Sequence, residues 1–315
     1  MFRYISVAVL FFLCSCEEKS KVVPEEQNLP DQFLIVLGVA QDAGYPQAGC
    51  EAPHCQKYWQ GDEGPRYATS LGLVDKGSGK TWLFEATPDF KEQLHLLYKA
   101  SNSTSVLPDG IFITHAHIGH YTGLMFLGRE AAGSQGVSVH VMPKMKAFLE
   151  NNGPWSQLIK LQNIVPRQME ADTPVVLTDD IQVTPLLVPH RDEFSETVGY
   201  IIESSSKRIL FIPDIDKWVK WDTDIRELIK TVDVALLDGT FYNNAELPNR
   251  DMSEIPHPFI EESVALFQGL PEEEKAKITF IHFNHSNPLI FDGIEKSDTE
   301  QLGFKIARRM DIIGL

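Results

Sequence analysis

Three histidines stand close together in the segment Thr114-His115-Ala116-His117-Ile118-Gly119-His120. The segment follows an apolar run that predicts a strand, and it precedes a stretch with helical spacing. A strand end releases side chains into a cleft, and alternation along the extended chain points His115 and His117 to the same side. Neutral imidazole is a ligand of zinc and of other borderline metals. The segment therefore predicts a metal site at a strand-to-helix junction.

Short apolar runs recur along the rest of the chain and predict strands. These runs cover residues 33–39, 70–74, 82–86, 110–114, 137–142, 181–188, 198–202, 208–212, 232–237 and 278–283. Apolar residues at helical spacing predict helices at residues 90–97 and 260–267. Strands interspersed with helices in both halves favour an α/β fold of the αββα type, a two-sheet sandwich flanked by helices. One domain over residues 33–315 has the length for it.

The first residues have the composition of an export signal. Arg3 gives a positive start, and an apolar run ends in Leu13-Cys14-Ser15-Cys16, which resembles the lipobox of bacterial lipoproteins. The run is too short to span a bilayer. We expect a signal peptide over residues 1–15, lipidation of Cys16 and a flexible polar tether over residues 16–32. The protein would then be anchored to a membrane of the cell envelope, outside the cytoplasm; a plain secretory signal is the alternative.

The charge balance of the chain limits the classes of partner that it is expected to bind. The sequence has 28 lysines and arginines against 44 aspartates and glutamates, which gives a formal net charge of −16. Such an acidic surface repels phosphate backbones, and no run of basic residues offsets it. We therefore expect a small-molecule substrate and no nucleic-acid partner.

The histidine segment is similar to the His-x-His-x-Asp-His motif of the metallo-β-lactamase superfamily, with Gly119 in place of the aspartate. The resemblance implies six metal ligands, in chain order His115, His117, His120, His190, Asp214 and His282. His115, His117 and His190 would hold a first metal, and the others a second metal with Asp214 as the bridge. In the family this aspartate binds the second metal, so Gly119 leaves open whether the centre binds one ion or two.

Further segments resemble the PqqB-like and PhnP-like branch of this superfamily, over nearly all of residues 33–292. They include Ala43-Gly44-Tyr45-Pro46-Gln47, Arg66-Tyr67-Ala68-Thr69-Ser70-Leu71, Asp238-Gly239-Thr240-Phe241 and Ile281-His282-Phe283-Asn284. This branch carries a structural zinc, and the resemblance implies such a site at Cys50, Cys55 and His285, with His54 as a further candidate. A Cys50–Cys55 disulfide is the alternative, favoured outside the cytoplasm.

Two more residues match family positions near the cleft. The resemblance implies that Asp238 and His257 contact the metal ligands or the substrate and act as catalytic residues. The alternatives are a turn at Asp238-Gly239 and an exposed loop around His257. For Asp214 the alternative is a cap on a helix that starts at Ile215.

Three functions are compatible with these residues. The first is a hydrolase of a phosphodiester, lactone or related ester, in which the metal lowers the pKa of bound water to about 7. It is favoured because the chain keeps histidines that PqqB-like sequences have mostly lost. The others are a PqqB-like oxidoreductase and a non-catalytic metal-binding lipoprotein. The expected cofactor is zinc, as one or two ions, with iron or manganese as alternatives and a further structural zinc.

Overall fold

A computed structural model describes residues 29–247 and 250–315 of the chain. The signal peptide, Cys16 and most of the tether predicted from the sequence lie outside the described residues. The strands are β1 (Gln32–Gly38), β2 (Ser70–Asp75), β3 (Lys80–Phe84), β4 (Gly110–Phe112), β5 (Val137–Val141), β6 (Ile164–Gln168), β7 (Val175–Val176), β8 (Gln182–Leu187), β9 (Val198–Glu203), β10 (Arg208–Ile212), β11 (Val234–Asp238), β12 (Ile278–Ile281), β13 (Lys305–Ile306) and β14 (Ile312–Gly314).

The strands form two seven-stranded sheets. The first has the order β14-β1-β2-β3-β4-β5-β6 and the second the order β13-β12-β11-β10-β9-β8-β7. The helices are α1 (Pro53–Trp59), α2 (Phe90–Ser101), α3 (Ile118–Tyr121), α4 (Pro143–Asn151), α5 (Trp155–Lys160), α6 (Ile225–Lys230), α7 (Ile260–Phe267), α8 (Glu272–Lys275) and α9 (Ile294–Gln301). No helix of the described ranges is long and apolar enough to cross a membrane. The αββα class predicted from the sequence is confirmed.

Strand β1 shows why its sequence is apolar at nearly every position. Successive side chains of a strand point to opposite faces of the sheet. Leu34 and Val36 belong to the core between the two sheets, whereas Phe33 and Ile35 belong to the core between the first sheet and helices α2, α4 and α5. Both faces of the first sheet are therefore buried, which fixes the position of this strand in the sandwich.

Aromatic side chains join the two sheets beneath the histidine segment. The ring of Tyr200 on β9 lies 5.5 Å from that of Phe84 and 5.6 Å from that of Phe112, in edge-to-face contacts. Its hydroxyl donates a hydrogen bond of 2.6 Å to the carbonyl oxygen of Ile113. The loop that carries the histidines is thereby anchored to the second sheet.

Three neighbouring strands of the second sheet are parallel, namely β10, β11 and β12. The carboxyl ends of parallel strands meet at one edge of a sheet, which is the usual place for a binding site in such sheets. Asp214 follows β10, Asp238 ends β11, and His282 follows β12. The fold therefore brings these three predicted site residues to the same edge.

All strands predicted from the sequence are present, with ends shifted by a few residues, and helices α2 and α7 lie where helical spacing predicts them. Strand β1 begins at Gln32, one residue before the predicted start of the domain. Strand β4 ends at Phe112, so His115 and His117 extend from the loop that follows the strand. Strand alternation therefore does not orient these two histidines, contrary to the prediction.

Candidate metal centre

The first group of ligands consists of His115, His117, His190 and Asp214, whose ligand atoms all lie within 4.8 Å of one another. Nε2 of His115 is 2.8 Å from Nδ1 of His117 and 3.3 Å from Oδ2 of Asp214. Nε2 of His190 is 3.3 Å from Oδ1 of the same carboxylate. His115 and Asp214 are buried, and the side chain of His190 is fully shielded from solvent. Four of the residues predicted to bind metal are thus brought together.

The loop between β4 and α3 is held by hydrogen bonds that involve side chains. Oγ1 of Thr114 lies 2.9 Å from Nδ1 of His115, and the backbone N–H of Ala116 donates to Oγ of Ser195 over 2.8 Å. A partner on one ring nitrogen of a histidine orients the ring and leaves the other nitrogen for a metal. Thr114 therefore presents Nε2 of His115 towards Asp214.

A second group adjoins the first and consists of Asp42, His120 and His282. Nε2 of His120 lies 3.3 Å from Oδ1 of Asp42 and 3.6 Å from Oδ2 of Asp214, so Asp214 stands between the two groups. Burial opposes ionisation of Asp42, but the close approach and positive charge of His120 outweigh the burial and lower the pKa of Asp42. No motif of the sequence identifies Asp42 as a site residue.

The ring of His282 is oriented by a short chain of hydrogen bonds. The hydroxyl of Thr240 donates to Oδ1 of Asp238 over 2.6 Å, so it must accept from Nδ1–H of His282, 2.9 Å away. Nε2 of His282 is then the nitrogen without a proton. Burial, with a smaller contribution from His120, lowers the pKa of His282 to about 3, which keeps this ring neutral and available as a ligand.

Glu85 supports His120 from the opposite side. Its Oε2 lies 3.5 Å from Nδ1 of His120, and the carboxylate is fully buried. Burial opposes protonation of His120, but Glu85 and Asp42 together raise its pKa well above the usual value. A metal bound at Nε2 would replace the proton that His120 otherwise carries, because a metal ligand must offer a lone pair. Glu85 was also missed from the sequence.

Several buried polar atoms of both groups have no hydrogen-bond partner in the described part of the chain. They are Oδ1 of Asp42, both ring nitrogens of His120 and of His190, Oδ1 of Asp214 and Nε2 of His282. Native proteins rarely leave such atoms unsatisfied, because each costs about 1–3 kcal/mol. A cation between them would satisfy most of these atoms, and imidazole with carboxylate is a donor set that suits zinc, iron and manganese. The side chains present therefore fit a metal centre.

Asp238 and His257 lie next to this centre. Nδ1 of His257 is 2.9 Å from Oδ2 of Asp238 and 3.2 Å from Oδ1 of Asp214. Burial lowers the pKa of His257, but the charges of Asp238 and Asp214 outweigh it and raise the pKa to about 9. His257 is only 5% exposed, so the exposed-loop alternative is wrong. The alternative for Asp214 is wrong as well, since no helix begins at Ile215.

The predicted structural zinc site is assembled as a group but carries a disulfide. Ligand atoms of Cys50, His54, Cys55 and His285 lie within 4.8 Å of one another, and the rings of the two histidines are 5.3 Å apart. The structure joins Cys50 to Cys55 by a disulfide bond, the alternative that the sequence left open. Zinc binding at this group therefore requires reduced cysteines, because the metal ligand is the thiolate.

Comparison with known sequence families places the chain in a class. The family described as "Beta-lactamase superfamily domain" matches residues 80–283, from strand β3 to just beyond β12. This match covers more than half of the chain, and the protein belongs to that superfamily. The resemblance predicted from the histidine motif is confirmed.

Particular relatives lie in the PqqB-like branch. Coenzyme PQQ synthesis protein B of Methylobacterium sp. (strain 4-46) is 27% identical over 297 residues, which cover 87% of this chain and 96% of the relative. That of Gluconobacter oxydans (strain 621H) is 25% identical over 300 residues, covering 87% and 95%. The chain is thus similar to these proteins over nearly their whole length.

Solved structures show the same fold. Zn²⁺-bound PqqB from Methylobacterium extorquens superposes with a TM-score of 0.77 at 21% identity, over 90% of this chain and 100% of that one. A diphosphatase from the PhnP family superposes with a TM-score of 0.61 at 21% identity, over 90% and 97%. The PqqB-like and PhnP-like architecture predicted from the sequence is therefore confirmed.

Proposed function

We propose that the protein is a metal-dependent hydrolase of a small phosphodiester, lactone or related ester, with zinc as its metal. The observation that carries the proposal is the position of Asp214. Its two oxygens lie 3.3 Å from His115 and His190, and one of them lies 3.6 Å from His120 of the second group. A carboxylate shared by two ligand groups suits a pair of metal ions, the arrangement found in many phosphatases and nucleases.

The residues of the two ligand groups would have different roles in such a centre. His115, His117 and His190, together with the shared Asp214, would hold one metal, and zinc can take a fifth ligand, which leaves a position for water or substrate. When bound, the metal supplies a nucleophile at neutral pH and polarises the bond to be cleaved. The second ligand group shares Asp214 with the first. Zinc is supported by this donor set and by the zinc-bound PqqB structure that shares the fold.

His257 is the group placed to handle a proton. Asp238 fixes its Nδ1 at 2.9 Å and keeps the ring protonated at neutral pH, while the whole pair lies against Asp214. A protonated imidazole beside the metal ligands can donate its proton to the oxygen that leaves when an ester bond breaks. We therefore assign His257 as general acid and Asp238 as the residue that positions it.

The test is His117→Ala in the purified protein, with the exposed His95→Ala as matched control. Zinc content and hydrolysis of bis(p-nitrophenyl) phosphate, p-nitrophenyl esters and lactones are measured on the same samples. Loss of His117 opens the first ligand group, so we expect zinc to fall by one ion per chain and turnover to fall by at least roughly 100-fold. Circular dichroism should stay unchanged. Unchanged zinc content would remove His117 from the centre.

A second candidate function is supported by the sequence relatives. The 27% identity to coenzyme PQQ synthesis protein B extends over 87% of this chain, and imidazole with carboxylate also binds iron. A PqqB-like oxidoreductase would be purified with iron and would consume oxygen when given a reduced substrate. Zinc with ester hydrolysis supports the first proposal, iron with oxygen consumption the second, and bound metal with neither activity a binding role.

The structural zinc stays a proposal for the reduced protein. Cys50, Cys55, His54 and His285 lie close enough to share one ion, and all but the buried Cys55 are partly exposed. Treatment with a thiol reductant in the presence of zinc should add one ion per chain, and Cys50→Ser should abolish that addition. An unchanged zinc content after reduction would leave the disulfide as the role of this pair.

A further inference from the structure

We propose that Asp42 is a metal ligand that takes the place of the carboxylate missing at position 119. The inference rests on the metal centre proposed above, but it does not depend on the reaction catalysed there. Because the histidine motif lacks its aspartate, the second ligand group would otherwise have only two imidazoles and a share of Asp214.

The space beside Gly119 is filled by Asp42. A Cβ atom added to Gly119 would lie 2.2 Å from Cα of Asp42, 2.4 Å from its Oδ1 and 2.8 Å from its Cβ. Real Cβ atoms essentially never approach other atoms below 3.0 Å. A side chain at position 119 is therefore excluded by the backbone of Asp42 as well as by its side chain. Gly119 lies in helix α3 without a positive φ, so glycine is required there by the close approach of Asp42 and not by its own conformation.

The carboxylate of Asp42 faces the second ligand group directly. Its Oδ1 is 3.3 Å from Nε2 of His120, while Oδ2 accepts a hydrogen bond of 2.8 Å from Nε2 of Gln41. Oδ1 of Asp42, Nε2 of His120 and Nε2 of His282 are all buried and lack a hydrogen bond to any described residue. His120 is 1% exposed and His282 is fully buried. Three unsatisfied donor atoms of two residue types therefore converge on one point.

The chain holds Asp42 at this point through its backbone. The N–H of Gln41 donates to the carbonyl oxygen of Phe283 over 2.7 Å, next to His282, and Gly44 N–H donates back to Gln41 over 2.9 Å. Asp42 itself has a φ of 33°, a left-handed conformation that aspartate tolerates better than most residues. The turn after β1 is thus fastened to the end of β12, which carries His282, and it places the carboxylate between that residue and α3.

Three proteins test the inference: the wild type, Asp42→Asn and the exposed control Asp62→Asn. Each full-length chain is stripped with a chelator and titrated with Zn²⁺ against a chromophoric competitor. Zinc per chain is then measured by mass spectrometry after dialysis. Any zinc at the cysteine group is common to all three proteins and cancels in the comparison. Thermal unfolding of the zinc-free samples reports whether each variant folds.

We expect Asp42→Asn to bind one zinc ion fewer than the wild type, or to bind it at least roughly 100-fold more weakly, because asparagine keeps the shape but removes the charged oxygen. Asp62→Asn should match the wild type. If Asp42→Asn bound zinc as the wild type does, or if the wild type bound no second ion at the centre, the inference would be overturned.

The same samples separate this inference from the proposed function. A wild type that binds the second zinc through Asp42 but hydrolyses none of the esters would contradict the hydrolase assignment and leave Asp42 as a ligand. The opposite outcome is a wild type that hydrolyses an ester and an Asp42→Asn variant with full activity and unchanged zinc binding. That outcome would support the hydrolase assignment and show that Asp42 is not a ligand. Gly119→Asp should not raise zinc occupancy, because the backbone and the side chain of Asp42 already fill the space.

Discussion

Three histidines of the centre are each oriented by a neighbour on the side away from the ligand position. Thr114 contacts His115, Thr240 accepts from His282, and Glu85 lies against His120. Such partners fix the tautomer and the ring plane, and their loss weakens metal binding in known sites by about 10–100-fold. The centre is therefore built in advance of metal binding, and its residues can be tested one at a time.

At the residue scale, His257→Asn should separate catalysis from metal binding. His257 lies close enough to Asp214 and Asp238 to form a third ligand group with them, but it lies outside the two groups assigned to metal. We expect zinc content to stay as in the wild type while kcat falls by about 10²–10⁴-fold, the usual worth of a general acid. The pH profile should also lose its alkaline limb, since that limb would report the protonated imidazole. An equal loss of zinc and of kcat would make His257 a ligand instead.

Most of this site could be predicted from the sequence because the motif residues are typical metal ligands in a recognisable pattern. His115, His117 and His120 share one short segment, and the remaining ligands each end an apolar strand. Asp42 carries no such signal, since a single aspartate after a strand is common. The glycine at position 119 was the available clue, because a missing ligand calls for a replacement from a neighbouring loop. Its meaning emerged only once the fold placed that loop against α3.

At the element scale, strand β5 supports the metal loop and contains a half-buried histidine. The ring of His140 stacks on the ring of Phe112 in β4, with centroids 4.3 Å apart. The backbone carbonyl oxygen of His140 accepts a hydrogen bond from the N–H of Ile113. Burial, helped by the charge of Arg167, lowers the pKa of His140 to about 4. Since an unfolded histidine titrates near 6.5, the unfolded state binds more protons between these values, and stability falls as the pH drops from about 6.5 towards 4.

Replacing His140 by phenylalanine should remove this part of the pH dependence and keep the stacking. Between pH 7 and pH 5 the wild type should lose about 1–2 kcal/mol more unfolding free energy than His140→Phe. Urea unfolding of both proteins at the two pH values measures the difference, and His95→Phe on the exposed face of α2 is the control. A variant with the pH dependence of the wild type would show that His140 is solvated in the folded protein.

The strands that the sequence did not predict are those at or near the sheet edges. Strands β7, β13 and β14 have two or three residues each, too few for an alternation to be read. Strand β6 contains Pro166, which argues against a strand unless it lies at an edge, and β6 is the last strand of its sheet. These elements form because the longer central strands offer them a partner, so their signal lies in the tertiary structure.

At the scale of the whole molecule, the remaining proposal concerns where the protein resides. The motif Leu13-Cys14-Ser15-Cys16 predicts lipidation of Cys16 and anchoring to a membrane of the cell envelope. Two or more acyl chains at about 0.8 kcal/mol per buried CH₂ would hold the protein stably. Cys16→Ser should move the protein from the membrane fraction of the producing cells to the soluble fraction. A wild type that is already soluble would contradict the anchor.

The central claim is that Asp214 stands between two metal positions built from the five histidines of the centre and Asp42. Anomalous X-ray diffraction from zinc-loaded crystals, recorded on both sides of the zinc absorption edge, tests it most directly. The account predicts two peaks about 3.5–4 Å apart, one beside His115, His117 and His190 and the other beside Asp42, His120 and His282. A single peak beside the first three histidines would contradict the second position, and no peak near Asp214 would contradict the metal centre altogether.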